Sequence, residues 1–182
     1  ITWLSTYFQN EQGLPMDTAG AKASVVMVLA VVGAPLGGYL TDAWRKRQPN
    51  ARLLFPAFST LTSAVLLFVA LYLLRGTVQY IFLLLMGISI MGFISGAAAV
   101  TQDVIHPGLR ATSYAIAVVV QNLLGSSMAP MVIGRLYDLY NIKTALLMLP
   151  FMLILGSLLF YLGSKHYEKD MKNVAKIRLE AA

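Results

Sequence analysis

Cysteine is absent from this sequence, and charge is scarce: Asp, Glu, Lys and Arg make up 12% of its 182 residues. Without cysteine there is no disulfide framework and no thiolate metal site. A soluble domain carries about 25% charged residues, and this chain has too little charge to solvate a globule of 19.9 kDa. Soluble enzymes, nucleic-acid binders and disordered chains are therefore poor readings. No Gly-rich loop runs into a Lys-Ser/Thr pair, so no ATP cradle is visible. The two histidines, His106 and His166, stand outside any Ser/His/Asp or paired-carboxylate arrangement. The expectation is a protein that is not an enzyme and has no catalytic residues, no cofactor and no metal site. No basic segment leads into a short apolar core at the start, so no signal peptide is read there. Ile1 in first place reads as a chain that begins inside something longer.

What is there is apolar. Hydrophobic residues make up 58% of the sequence, with a mean hydropathy of +0.69. A helix needs about 20 mostly apolar residues to cross a hydrocarbon core roughly 30 Å thick. Cutting the sequence at its charges leaves five such runs: Ala23–Thr41, Leu53–Leu74, Gly76–Gln102, Ala111–Gly134 and Thr144–Ser164. Backbone groups in lipid must be paired internally, so these runs are read as helices. None alternates polar and apolar residues as a barrel strand would. The fold class expected is an all-α polytopic membrane bundle. It occupies residues 11–164, with spans at about 22–41, 53–74, 77–101, 111–133 and 144–164. Residues 1–10 are too short to span. They form either a surface helix or the end of a truncated membrane helix, and Trp3 and Tyr7 suit the interface in the second case. Residues 165–182 form a basic tail in which Tyr167, Met171, Val174 and Ala175 make a thin apolar stripe, either lying on the leaflet or frayed in solvent.

Charge sets the expected orientation. The connectors 43–52 and 103–110 together with the tail hold Arg45, Lys46, Arg47, Arg52, Arg110, Lys165, Lys169, Lys172, Lys176 and Arg178. The opposite side holds Lys22, Arg75, Arg135 and Lys143. The positive-inside rule makes the first set, and the C-terminus, cytoplasmic. The sequence pI of about 9.7 is then a topology signal, and nucleic acid is not needed to explain it. The lipid bilayer is the expected partner.

Gly33 and Gly37, and again Gly92 and Gly96, form small-xxx-small pairs that let helix backbones approach closely. Pro35, Pro130 and Pro150 fall within spans and should bend them. The most informative stretch is Gly37 through Arg47, which leaves a membrane helix at its cytoplasmic end. Gly38-Tyr39-Leu40-Thr41-Asp42 with Lys46 and Arg47 resembles the Gly-x-Leu-x-Asp motif and basic run of the major facilitator superfamily. It departs where the family often has glycine, because Arg45 stands there. Gly13-Leu14-Pro15 followed by Ala19-Gly20 resembles the external start of the family's eighth helix. The stretch Gln102–Arg110 resembles its cytoplasmic acid–Pro–Arg loop before the eleventh helix. Leu124–Pro130 with Gly134 and Asp138 resembles that helix's Gly/Pro-rich exit.

The resemblance implies half of a major-facilitator fold, namely the C-terminal six-helix half without most of its seventh helix. It implies a secondary transporter that moves a small organic or amphipathic solute by alternating access, with the missing N-terminal half as a partner. The Gln102–Arg110 loop is similar to that of the spinster-like branch, which carries lysolipids and sphingoid lipids, although organic-anion carriers have similar loops. A rival of another class is a non-transporting membrane scaffold. The location implied is the plasma membrane, or the inner membrane of a bacterium.

Ser113, Ala117, Gln121 and Gly125 recur at i, i+4 along one helix face, flanked by Tyr114 and Asn122. With Trp3 and Tyr7 they are the substrate-path candidates. Gln121 and Asn122 are the most polar side chains deep in a span. They either bond solute or hold a neighbouring helix. The gate candidates are Gly38, Asp42, Arg45, Lys46, Arg47, Asp103 and Arg110. Asp103 and Arg110 either pair with each other, join Asp42 and Arg45 in a network, or are plain solvated loop charges. No complete span holds an ionisable group, so any proton path is expected in the other half.

Overall fold

The computed structural model describes residues 3–180, with side chains described through residue 174. The described residues form helices and no strands. In chain order these are α1 (Leu4–Gln12), α2 (Met16–Arg45), α3 (Ala51–Tyr72) and α4 (Gly76–Asp103). A 3-10 turn (Pro107–Leu109) leads into α5 (Arg110–Val120), a π-helical segment (Gln121–Ser127) and α6 (Met128–Leu139). The last helix, α7 (Ile142–Glu180), closes the order. Counting Pro107–Leu139 as one run, five helices are long and apolar enough to cross a membrane.

Local chemistry sets the corners. Gly13 ends α1 in the left-handed region at φ 63°, where a side chain would be strained. The Leu14 amide then donates back to the Phe8 carbonyl at 3.3 Å, and Pro15 supplies the fixed φ before α2. Gly76 begins α4 with φ 66°.

The glycine pairs meet each other. A Cβ on Gly37 would collide with the backbone of Gly92, and one on Gly33 with the backbone of Ile88. Glycine is therefore what lets α2 lie against α4. Gly96 in turn faces Pro56 of α3, and α4 packs extensively on both α2 and α3. Ser157 of α7 donates to the Ala57 carbonyl of α3 at 2.7 Å, one of the ties between these two helices. The buried core gathers Leu4, Phe8, Val26, Leu71, Leu83 and Ile142 near one end of the bundle. Around it, large apolar side chains point outward, among them Val31, Phe151 and Leu159. Water would penalise so much exposed apolar surface, and acyl chains would not. The chain is an integral membrane protein in contact with the bilayer.

Two features differ from the sequence reading. The fourth span is not one α-helix, because a π segment occupies its middle from Gln121 to Ser127. The tail is not a separate leaflet helix, because α7 runs on through residue 180 without a break. Tyr167 points inward and is buried. The side chains of Ala175, Lys176 and Arg178, and residues Ile1 and Thr2, lie outside the described residues.

Candidate functional site

A cavity of about 570 Å3 opens between α1, α3, α4, α6, α7 and the π segment. Its walls are mainly aliphatic, with Leu67, Leu71, Met86, Leu146 and Leu153 among them. Three residues bring polar atoms to it: Trp3, Gln121 and Ser126. The Trp3 indole nitrogen is buried and has no hydrogen-bond partner. Its ring lies 6.1 Å from that of Tyr137, centroid to centroid, and also against Gly134. A cavity of about 100 Å3 adjoins, lined by Phe93, Thr101, Tyr114, Ala117 and Gln121 among others. Gln121 thus lines both spaces. A π-helical turn frees backbone from the regular ladder and is common at functional sites. Here it begins at that residue.

The expected face is divided. Gln121, Gly125 and Trp3 line the large cavity, whereas Tyr114 and Ala117 line the small one. Ser113 reaches the Thr101 carbonyl at 3.4 Å, and Asn122 bonds back to the Val118 carbonyl at 2.8 Å; neither lines either of these two cavities. Tyr7 is buried and accepts a 2.6 Å bond from the Gln79 amide, which also donates to the Ala70 carbonyl. Gln12 donates to the Gln79 oxygen at 2.9 Å. Tyr7 therefore ties α1 to α4, and it does not line the cavity that Trp3 lines. The sequence reading passed over Gln79, which lies only three residues into its run although its amide is fully employed.

At the basic end the expected pairing changes. Asp103 and Arg110 flank the turn but do not pair. Asp103 forms an ion pair with Arg52 at the start of α3, the single one among the described residues. Tyr167 of α7 donates its hydroxyl to the same carboxylate oxygen at 2.5 Å. Three helices thus converge on one carboxylate. Asp42, Lys46 and Arg47 are exposed, and Arg45 is half-buried. Gly38 faces Ser95 of α4 at ordinary contact distance. His106 is exposed, and its Nδ1 accepts from the Gly108 amide at 3.3 Å, a turn-forming role. No cluster of three His, Asp or Glu residues that would suit a metal ion occurs among the described residues.

The sequence profile of the Major Facilitator Superfamily matches residues 1–130. This chain belongs to the Major Facilitator Superfamily. It is 28% identical over 165 residues to Protein spinster homolog 3 of Danio rerio, covering 82% of this chain and 33% of that protein. Against Protein spinster homolog 1 of Bos taurus it is 30% identical over 132 residues, with coverage of 69% and 25%. Against Protein spinster of Drosophila melanogaster it is 29% identical over 133 residues, with coverage of 71% and 22%. The chain spans about a third or less of the length of these curated relatives. No solved structure matches it. The superfamily resemblance and its spinster-like branch, carried in the sequence by the Gly38–Arg47 and Gln102–Arg110 stretches, agree with these relatives.

Proposed function

We propose that this chain is the C-terminal half of a secondary transporter that moves a small organic or amphipathic solute by alternating access. The observation that carries this reading is the 570 Å3 cavity beside Gln121, apolar on most walls and polar at Trp3, Gln121 and Ser126. Solute sites are typically concave, mostly apolar and roughly 300–1,000 Å3, with a few placed polar groups. An amphipathic molecule matches that lining, since its tail would contact the Leu and Met walls while a polar group meets the Gln121 amide. The lysolipid and sphingoid class implied by the spinster resemblance is the first to try. The α5–α6 run is almost wholly exposed in this chain, which supports an N-terminal half as the opposite wall. In this reading the membrane is the plasma membrane, or the inner membrane of a bacterium, and the charge asymmetry supports a cytoplasmic basic end and C-terminus.

The test is solute counterflow in liposomes carrying the full transporter, with wild type beside Gln121→Ala. Saturable flux is expected for wild type. Gln121→Ala should weaken solute affinity by about 0.5–1.5 kcal/mol, the net worth of one hydrogen bond. Its melting temperature should hardly move, because Gln121 is exposed to the cavity. A drop in melting temperature at unchanged affinity would make Gln121 a packing residue and remove it from the path. Absence of saturable flux for every amphipathic solute tried would favour the scaffold reading.

A further inference from the structure

We propose that a groove between the basic ends of α2 and α3 seats an anionic phospholipid of the surrounding bilayer. Leu40, Ala43, Trp44 and Arg47 follow each other at i, i+3, i+4 and i+7, and all four line the groove. Phe55 and Phe58, at i and i+3 on α3, form the other wall. The space is about 560 Å3, within the usual range for a small-ligand site. It exists because α2 packs heavily on α4 and only lightly on α3. The Trp44 and Phe58 rings stand 5.7 Å apart, centroid to centroid, and 33° from parallel. Leu40 and Phe58 remain 49% and 55% exposed, so no part of the described chain covers them.

The lining is graded in polarity. Leu40, Phe55 and Phe58 lie along the membrane helices, Trp44 stands one residue before the end of α2, as suits an indole at an interface, and Arg47 follows that end. Arg45 and Lys46 precede Arg47 in sequence, and no acid lines the groove. The single ion pair among the described residues is Arg52–Asp103, so no described carboxylate neutralises Arg47. A cation above an aromatic and aliphatic slot calls for an anionic head on an apolar tail. A soluble phosphate compound would leave the slot unfilled, and a lipid with no net charge would leave Arg47 unanswered. Charge complementarity thus selects the anionic phospholipid. The inference does not rest on transport, only on the groove facing lipid.

The test uses the full transporter in mild detergent. Retained lipid is counted by native mass spectrometry after incubation with phosphatidylglycerol or phosphatidylcholine. Wild type should retain phosphatidylglycerol in preference. Arg47→Gln should reduce that retention roughly fivefold, the attraction of one basic residue for anionic lipid. Ala43→Phe keeps every charge but fills the slot at an exposed position, and it should lose retention as well. Arg135→Gln, at an exposed cation near the opposite end of the bundle, should behave as wild type. Size-exclusion profiles matching wild type establish that the variants are folded. Full retention by Arg47→Gln would overturn the proposal. So would full retention by Ala43→Phe, which would reduce the effect to diffuse attraction by the basic end. Displacement of the lipid by glycerol phosphate at equal concentration would overturn the acyl slot.

Discussion

Asp103 shows how much one carboxylate can organise when its partners come from far along the chain. It closes α4, while Arg52 opens α3 and Tyr167 sits well into α7, and both bond the same oxygen. A hydrogen bond to a charged group contributes about 1.5–3 kcal/mol when shielded. The side chains of Arg52 and Asp103 are 17% and 19% exposed, so solvent reduces that figure. Tyr167→Phe should therefore lower stability by about 1–2 kcal/mol, read as thermal unfolding in detergent. Asp103→Asn should cost more, because it leaves the Arg52 guanidinium half-buried without a counter-charge. Combining the two should cost less than their sum, since both remove bonds to one oxygen. Additive effects would mean that Tyr167 packs without bonding. Part of this cluster was legible in the sequence. The acid–Pro–Arg loop singled out Asp103, but Arg52 read only as a topology cation and Tyr167 as one member of a leaflet stripe. Nothing local marks either as a partner, because separations of 51 and 64 residues are bridged only by folding.

Among the elements, glycine spacing was the more readable signal and the π segment the less. Small-xxx-small pairs at Gly33/Gly37 and Gly92/Gly96 announce close helix approach, and Gly37 does lie against Gly92. Which helix each would meet was not in the spacing. Two glycines give opposite expectations for the same substitution. Gly37→Ala places a methyl against the Gly92 backbone and should separate α2 from α4, costing about 1–3 kcal/mol as overpacking. Gly156→Ala enters open space on α7 and should stabilise the helix by about 0.5–1 kcal/mol. Thermal unfolding of the two variants side by side checks this, and a stabilised Gly37→Ala would mean the α2–α4 contact is looser than described. The π segment had no comparable signature. Its residues, Gln121-Asn122-Leu123-Leu124-Gly125-Ser126-Ser127, are compatible with an ordinary helix in lipid, so the i, i+4 face drawn through them was continuous on paper. In the structure that face divides between two cavities.

At the scale of the whole molecule, the five charge-free runs located the membrane helices because the hydrocarbon core tolerates so few charges. They underestimated helix length, since backbone hydrogen bonding does not stop at the first charge. Thus α2 begins at Met16, ahead of Lys22, and α7 continues past Lys165. Lys22 is accommodated within α2 by the faces of Phe8 and Tyr80, 5.8 and 5.5 Å from its Nζ. The turn before α3 (residues 46–50), the turn after α4 (104–109) and the Tyr167 region of α7 gather at one end through the Arg52–Asp103–Tyr167 cluster. That end carries most of the Lys and Arg residues, and an excess of Lys and Arg in the loops and flanks of membrane helices favours the cytoplasmic side. If so, Arg45 and Lys172 face the cytoplasm while Arg75 and Lys143 face outward. The chain brings no cysteine of its own, so single cysteines at Arg45 and Arg75 act as unambiguous reporters in a transporter freed of other thiols. In sealed right-side-out vesicles an impermeant maleimide should label the Arg75→Cys variant at once, and the Arg45→Cys variant only after permeabilisation. The reverse pattern would invert the orientation but keep the bundle. Labelling of both from the same face would place an even number of crossings between them, and α3 as a single span would then be wrong.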